Sequence, residues 1–343
     1  MSYMKRQPTC IDVAATAGVS QATVSRVLNK SSLVKDSTRD RVLKAAEVLK
    51  YKIDNNARFL RSSRVRTLAL LILEDMEEQH SDINPFFLPI VGSIVRYAAD
   101  RGYEVMISLQ RESNDWGAGY CLSRPAEGII FLGSKNFDTY AENFRSHNQK
   151  DDNWVVWGLD KVENGKICVA SDNRSGACDA VNHLLASGRR RIAYIGKTDT
   201  DHWEFLERFD GYRNALDAAG IALDPTLIID SQLKIDDGAE AVRRLLEAGT
   251  QFDAIFASTD ILGLGAMREL MSRGYRIPED VSVIGFDDLW VCNIAWPRLS
   301  TVRQDTEAAA RRLVDSVCAL IEGEPAESVR IPTQLVLRES CGQ

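Results

Sequence analysis

The sequence predicts a small all-α headpiece joined to a larger α/β core made of two parallel-sheet lobes. Three observations predict it. Apolar residues recur at helical spacing through the first 50 residues, with a glycine turn between the first two segments. From Thr67 onward, apolar runs of strand length alternate with amphipathic stretches, the pattern of βαβ units. Charge also reverses between the two parts: of 42 Lys or Arg and 49 Asp or Glu, the first 66 residues hold 14 and 5, leaving 28 against 44 for the rest. A head of positive sign follows phosphate, whereas an acidic body is repelled by a nucleic-acid duplex.

Thr9 to Asn29 reads TCIDVAATAGVSQATVSRVLN. Asp12 to Thr16 supplies a short amphipathic helix and Ala17-Gly18-Val19 a tight turn. Ser20 is an N-cap whose hydroxyl can accept from the free amides of the helix that follows. Val13, Ala14, Val19, Val24 and Leu28 fall at spacings that bury one side, which leaves Gln21, Ala22, Ser25, Arg26 and Asn29 to face a duplex. On that face Thr23 and Ser25 suit phosphates, Gln21 an adenine edge, Arg26 guanine O6 and N7, and Ala22 a thymine methyl; Ser20 completes the set of DNA-binding candidates. The competing reading of the segment alone is a plain helical hairpin, and the charge reversal argues against it.

A third helix, roughly Ser37 to Leu49, offers Val42, Leu43, Ala46 and Leu49 to the headpiece core. Then comes Asp54-Asn55-Asn56-Ala57-Arg58-Phe59-Leu60-Arg61, too short and polar to be a stable helix by itself and expected to order when bound. The expected domains are a headpiece over 1–52, a hinge and linker over 53–66, and a core over 67–343. At 45% apolar content the chain can bury a large core. No apolar run reaches membrane length and no apolar segment follows Lys5 and Arg6, so the expected location is cytoplasmic, and on the nucleoid when bound to DNA. Seven cysteines without a CxxC pair read as thiols of a reducing compartment.

In the core, strands are expected over Thr67 to Leu73, Tyr103 to Leu109, Gly128 to Leu132, Trp154 to Trp157, Arg191 to Ile195, Leu227 to Asp230, Ala254 to Phe256 and Ser282 to Gly285. Helices are expected over Pro89 to Arg101, Ser175 to Ala186, Arg208 to Ala219, Gly238 to Ala248 and Ile261 to Arg273. So much βαβ chain exceeds one comfortable sheet, and two lobes follow.

The runs DVAATAGVSQATVSRVLN, VKDSTRDRVLKAAEVLKY and NNARFLRSSRVRTLALLI resemble the lactose/galactose repressor family of bacterial transcription regulators, and the similarity continues through the chain. The resemblance implies a periplasmic-binding-protein-like core, with lobe 1 over about 67–162 and 296–324 and lobe 2 over about 163–295 and 325–343. The chain would cross between lobes near 160–166, 294–298 and 324–327. It also implies a hinge helix that pairs in the minor groove, with Arg58 in it and Leu60 as the wedge. One departure stands out: where the family has Gly-Tyr-x-Pro-Asn, this chain has Lys50-Tyr51-Lys52-Ile53-Asp54, so Asp54 must serve as cap.

An effector cleft is expected at the carboxyl ends of the strands. Polyols need bidentate partners for vicinal hydroxyls, which Arg and Asp supply, and an aromatic face for the ring. Asp287, after the strand ending at Phe286, and Arg208, at a helix start, match family positions that hold effector. Thr259 matches another, Phe86 and Phe87 fall in the loop after the first strand, and Gln304 sits at a crossover. Asp260 either caps a helix or meets ligand, and Asp172 is read as a cap. Trp154 and Trp157 are read as core, while Trp203 and Trp290 are pocket candidates, as is Asp160. The shortened connection between Leu109 and Gly128 departs from the family.

Catalytic apparatus is not visible. Gly196-Lys197-Thr198 ends like a phosphate loop, but its first glycine would have to stand where Arg191 does. Gly263-Leu264-Gly265 lacks the third glycine of a dinucleotide fingerprint and lies in a helix, a packing pattern. The four histidines lack ligand spacing, so no metal or cofactor is expected. The expected function is a homodimeric repressor of carbohydrate-utilisation genes that binds a pseudo-palindromic double-stranded DNA operator and is released by a sugar effector. The alternative is a co-repressor type of regulator that senses a purine or another small metabolite.

Overall fold

The computed structural model describes residues 8–28, 34–49, 51, 66–73, 85–110, 126–133, 153–158, 167–198 and 203–342. Asn29, Asp54, Arg58, Leu60, Asp160 and the connection through Gly117 and Pro125 lie outside them. The chain divides into two compact units, Met1–Val65 and Arg66–Gln343.

The first unit holds α1 (Cys10–Ala17), α2 (Gln21–Leu28) and α3 (Asp36–Val48). At the head of α1, the Asp12 carboxylate accepts from both the backbone N–H and the hydroxyl of Thr9. Gly18 ends the helix at φ +64°, where a Cβ would be strained. Val13, Ala14, Ala17, Val24, Val27, Val42 and Ala45 form the small core, with Val19 and Leu28 half-buried beside it. Leu43, expected inside, is exposed. Val42 and Ala45 share one face of α3, and a residue one position on points about 100° away.

The second unit runs β1 (Thr67–Leu73), α4 (Phe87–Asp100), β2 (Glu104–Gln110), β3 (Gly128–Leu132), β4 (Trp154–Trp157), β5 (Ile167–Ser171), α5 (Asn173–Ala186), β6 (Ile192–Ile195) and α6 (Trp203–Ala218). It continues with β7 (Ile228–Ile229), α7 (Ile235–Glu247), β8 (Ala254–Ala257), α8 (Asp260–Ser272), β9 (Ser282–Asp287), β10 (Ser300–Gln304), α9 (Thr306–Glu322), β11 (Val329–Ile331) and β12 (Thr333–Val336). Two six-stranded sheets result, ordered β11-β5-β4-β3-β1-β2 and β12-β10-β9-β8-β6-β7. Every pairing is parallel except β10 with β12. Strands buried on both faces read as continuous apolar runs, which is why β1, TLALLIL, was plain in the sequence. In β8, Ala254 and Phe256 pack in one cluster while Ile255 and Ala257 pack in the other, the period of two that puts helices on both faces.

The sheet order corrects the expected lobe boundaries. Because β5 and β11 belong to the first sheet and β10 and β12 to the second, the chain crosses between Ser171 and Asn173, between Gln304 and Thr306, and between Ile331 and Thr333. Each crossing lies several residues later than expected. In every case the expected crossing precedes one more strand of the lobe being left: β5, β10 and β11. Two of the bridging residues are helix caps: Asp172 accepts from Ser175 N–H, and Asp305 from Ala308 N–H.

Candidate functional site

The carboxyl ends of β3, β4, β5, β8, β9 and β10 converge on a cleft of about 450 Å³, its mouth included, between the two sheets. Of the expected effector residues, Phe86, Phe87, Arg208, Thr259, Asp287 and Gln304 all line it. Trp290 does not: it stands in a short 3-10 turn, 73% exposed. Trp203, the first residue of α6, also lies outside the lining.

Arg208 and Asp287 form the centre. Arg208 is not at a helix start, as expected, but one turn into α6, because the helix begins at Trp203. Glu207 and Arg208, beyond that first turn, face inward although hydropathy reads them as outward. The guanidinium donates from Nε to Asn173 Oδ1 at 3.0 Å and from Nη1 to the Ser258 carbonyl at 2.6 Å, and Nη1 stands 3.3 Å from Asp287 Oδ1. It lies 3.9 Å from the centre of the Phe286 ring, which pins it from below. Asp287 Oδ1 also accepts from Gln304 Nε2 at 2.7 Å. Among the described residues none engages Arg208 Nη2 or Asp287 Oδ2. Burial pushes the Asp287 carboxyl up, and Arg208 and Gln304 oppose that shift. A buried ion pair of this kind is a weak source of stability but a strong source of fixed geometry.

Seven lining residues were not expected from the sequence: Gly133, Trp157, Gly158, Ser171, Asn173, Glu204 and Phe205. Trp157, read as core, is buried yet forms a wall of the cleft, stacked on Phe86 at 6.3 Å between centroids. Ser171 presents a buried hydroxyl without a hydrogen-bond partner. Asn173 holds Arg208 as described, and Glu204 adds a second carboxylate to the rim. A strand-end position was the available signal for Ser171, but β5 itself was not recognised. Beside Arg208, Glu207 reaches across to the other lobe and pairs with Arg330 of β11 at 2.8 Å, with Oε2 left without a partner.

Asp260 is neither the helix cap nor a cleft residue. Thr259 caps α8, its hydroxyl accepting from Leu262 N–H at 3.3 Å, while Asp260 is wholly buried behind β9. Asp172 does cap α5. Glycines 263 and 265 are packing residues, since a Cβ at Gly265 would lie 1.9 Å from the Ile235 carbonyl oxygen. Thr198 is occupied by structure, its N–H and hydroxyl both donating to Asp230.

On α2, Gln21, Ala22 and Arg26 are exposed, and Thr23 and Ser25 half-buried. Ser20 Oγ accepts from Thr23 N–H at 3.2 Å, so the hydroxyl expected to cap the helix is in place.

Residues 9–54 match the pattern of bacterial regulatory proteins of the lacI family, and residues 181–341 that of a periplasmic binding protein-like domain. The chain is 34% identical to the HTH-type transcriptional regulator CelR of Thermobifida fusca over 98% of its own length and 99% of that protein's. It belongs to the LacI family of bacterial transcription regulators. Another relative, the ribose operon repressor of Halalkalibacterium halodurans, is 33% identical over 97% of this chain and 96% of that one. Among solved structures, a CelR–cellobiose complex superposes with a TM-score of 0.72 at 34% identity, covering 97% of this chain and 99% of that one. As a LacI-family regulator the chain thus pairs a helix-turn-helix headpiece with a two-lobed core. Among the described residues no helix is long and apolar enough to cross a membrane.

Proposed function

We propose that this regulator is a repressor of carbohydrate-utilisation genes, released from a pseudo-palindromic operator by a neutral sugar bound in the cleft. The observation that carries the reading is the Arg208–Asp287 pair lining the cleft: the described residues engage Nε, Nη1 and Oδ1, which leaves Nη2 and Oδ2 for the hydroxyls of a ligand. Phe86, Phe87 and Trp157 supply the aromatic wall that the apolar face of a sugar ring stacks on. Charge favours a neutral ligand, because an anion entering would meet Asp287 and Glu204 as well as Arg208. The relative solved with cellobiose supports the same class.

In this reading Gln21 and Arg26 contact base edges, Ala22 a thymine methyl, and Ser20, Thr23 and Ser25 phosphates; Asn29, Arg58 and Leu60 complete the operator contacts. Two chains are needed to read two half-sites. Effector and operator then change each other's affinity by one common factor. A thermal-shift screen of monosaccharides, oligosaccharides and purines tests the proposal. A ligand at a hundred times its Kd stabilises by about 2.7 kcal/mol. A neutral sugar should raise the melting temperature and weaken operator binding in a gel shift; a response to purines alone would overturn the reading.

A further inference from the structure

Behind the cleft, a buried carboxylate and a buried hydroxyl close on the turn that carries Asp287. Asp260, at the start of α8, accepts from Leu289 N–H through Oδ2 at 2.7 Å and from the Thr301 hydroxyl through Oδ1 at 2.5 Å. The Thr301 oxygen in turn accepts from Asp288 N–H at 3.2 Å. Two consecutive amides, released as β9 ends, are therefore taken by this pair. Just before and within that stretch the backbone is left-handed, with φ +116° at Asp287 and +54° at Asp288. Residues with a Cβ hold such values only where their surroundings over-determine them.

The sequence of β9 makes room for the arrangement. A Cβ at Gly285 would lie 2.4 Å from Asp260 Oδ1, so the carboxylate occupies space that only glycine leaves open. Helix capping does not account for Asp260, because Thr259 performs it. Burying a carboxyl costs free energy that an apolar side chain at the same place would avoid, and the turn is what its two oxygens hold.

We infer that Asp260, acting with Thr301, is the positioning residue that keeps Asp287 in the backbone conformation from which its carboxylate reaches Arg208, Gln304 and the effector. The inference rests on the reading of Asp287 as an effector group. A titration links the two aspartates. Burial first and the charge of Asp287 second push Asp260 up, so Asp287 ionises first and its charge falls on Asp260. The other charged groups facing Asp287 are Arg208 and Glu204, both from α6; Cys292, facing Asp260, is held as the thiol by burial.

The experiment uses full-length Asp260→Asn, Thr301→Val, Thr301→Ser and Asp287→Ala proteins. Crystal structures come first and need no ligand. Asp260→Asn and Thr301→Val should release the left-handed turn and the Gln304–Asp287 contact, while Thr301→Ser, which keeps the hydroxyl, should match the parent. An unchanged turn in both of the first two overturns the inference. Calorimetry with cellobiose between pH 4.5 and 8 follows. Affinity should fall about tenfold in Asp260→Asn and Thr301→Val and recover in Thr301→Ser, as loss of a charge-assisted hydrogen bond implies. Parent-like cellobiose binding by Asp287→Ala would instead overturn the effector assignment, and the crystal structures would still decide the positioning role; they decide it equally if the parent takes up no cellobiose.

Discussion

Arg26 stands exposed on α2, one residue before the buried Val27, so its guanidinium points away from the headpiece core. If it reads guanine, Arg26→Ala should weaken specific operator binding by about 1–3 kcal/mol and relax preference at one base pair in each half-site. Binding-site selection with the variant is the check, and an unaltered preferred operator at unaltered affinity would refute the assignment. At the same scale, Asp260 and Asp287 are both raised in the folded protein, chiefly by burial. As pH rises past the ordinary aspartate value, about 3.9, the unfolded chain gives up these protons first. The stability they contribute is therefore complete below that value and lost as pH climbs through the raised ones. Asp260→Asn removes part of this loss, so its melting temperature relative to the parent should rise from pH 4 to pH 8; a flat or falling difference contradicts the burial argument. Single residues also set the limit of what could be read from the sequence. Asp287 and Gln304 were legible because chemistry and strand-end position coincide there, and Phe86 and Arg208 because they fall at family positions. Glu207, Asn173 and Asp260 were not, since a buried polar residue looks like a surface one to any pattern based on hydropathy.

Elements were legible in proportion to how much apolar periodicity they carry. Long runs such as β1 and β3 stood out, while β11, three residues with one buried, has no period to detect. Helix α9 carries a pattern too, with Ala309, Ala310, Leu313, Val314 and Val317 buried at helical spacing. The glycines of α8 give an element-scale prediction. A Cβ at Gly265 would collide with the backbone of Ile235 on α7, so Gly265→Ala must push two helices apart. Urea denaturation should show a loss of about 1–3 kcal/mol, the usual cost of overpacking. Cellobiose affinity, measured where the variant is folded, should stay within a factor of about two, since no cleft residue lies on that interface; a large change in affinity with unchanged stability would mean the glycines serve a ligand after all.

The whole molecule is expected to work as a pair, because one headpiece reads too few base pairs and one short hinge cannot fold alone. Leu88 and Val95 of α4 and Ile107 and Leu109 of the edge strand β2 leave apolar surface exposed that a second chain would cover. Light scattering of the full chain at micromolar concentration without DNA should give a dimer mass; a monomer would refute this placement, and a tetramer would require a further interface. The order of the strands also bears on how the protein is made. β11 and β12, the last two strands of the chain, lie at the edges of different sheets, one beside β5 and the other beside β10. Neither sheet is finished until synthesis has passed Ile331 for one and Val336 for the other. Until then β5 and β10 each show an open edge, the surface on which nascent chains stick to one another. A regulator cut short before Val329 would thus lose the closing strand of both lobes at once, and quality control, rather than a missing ligand contact, would decide its fate.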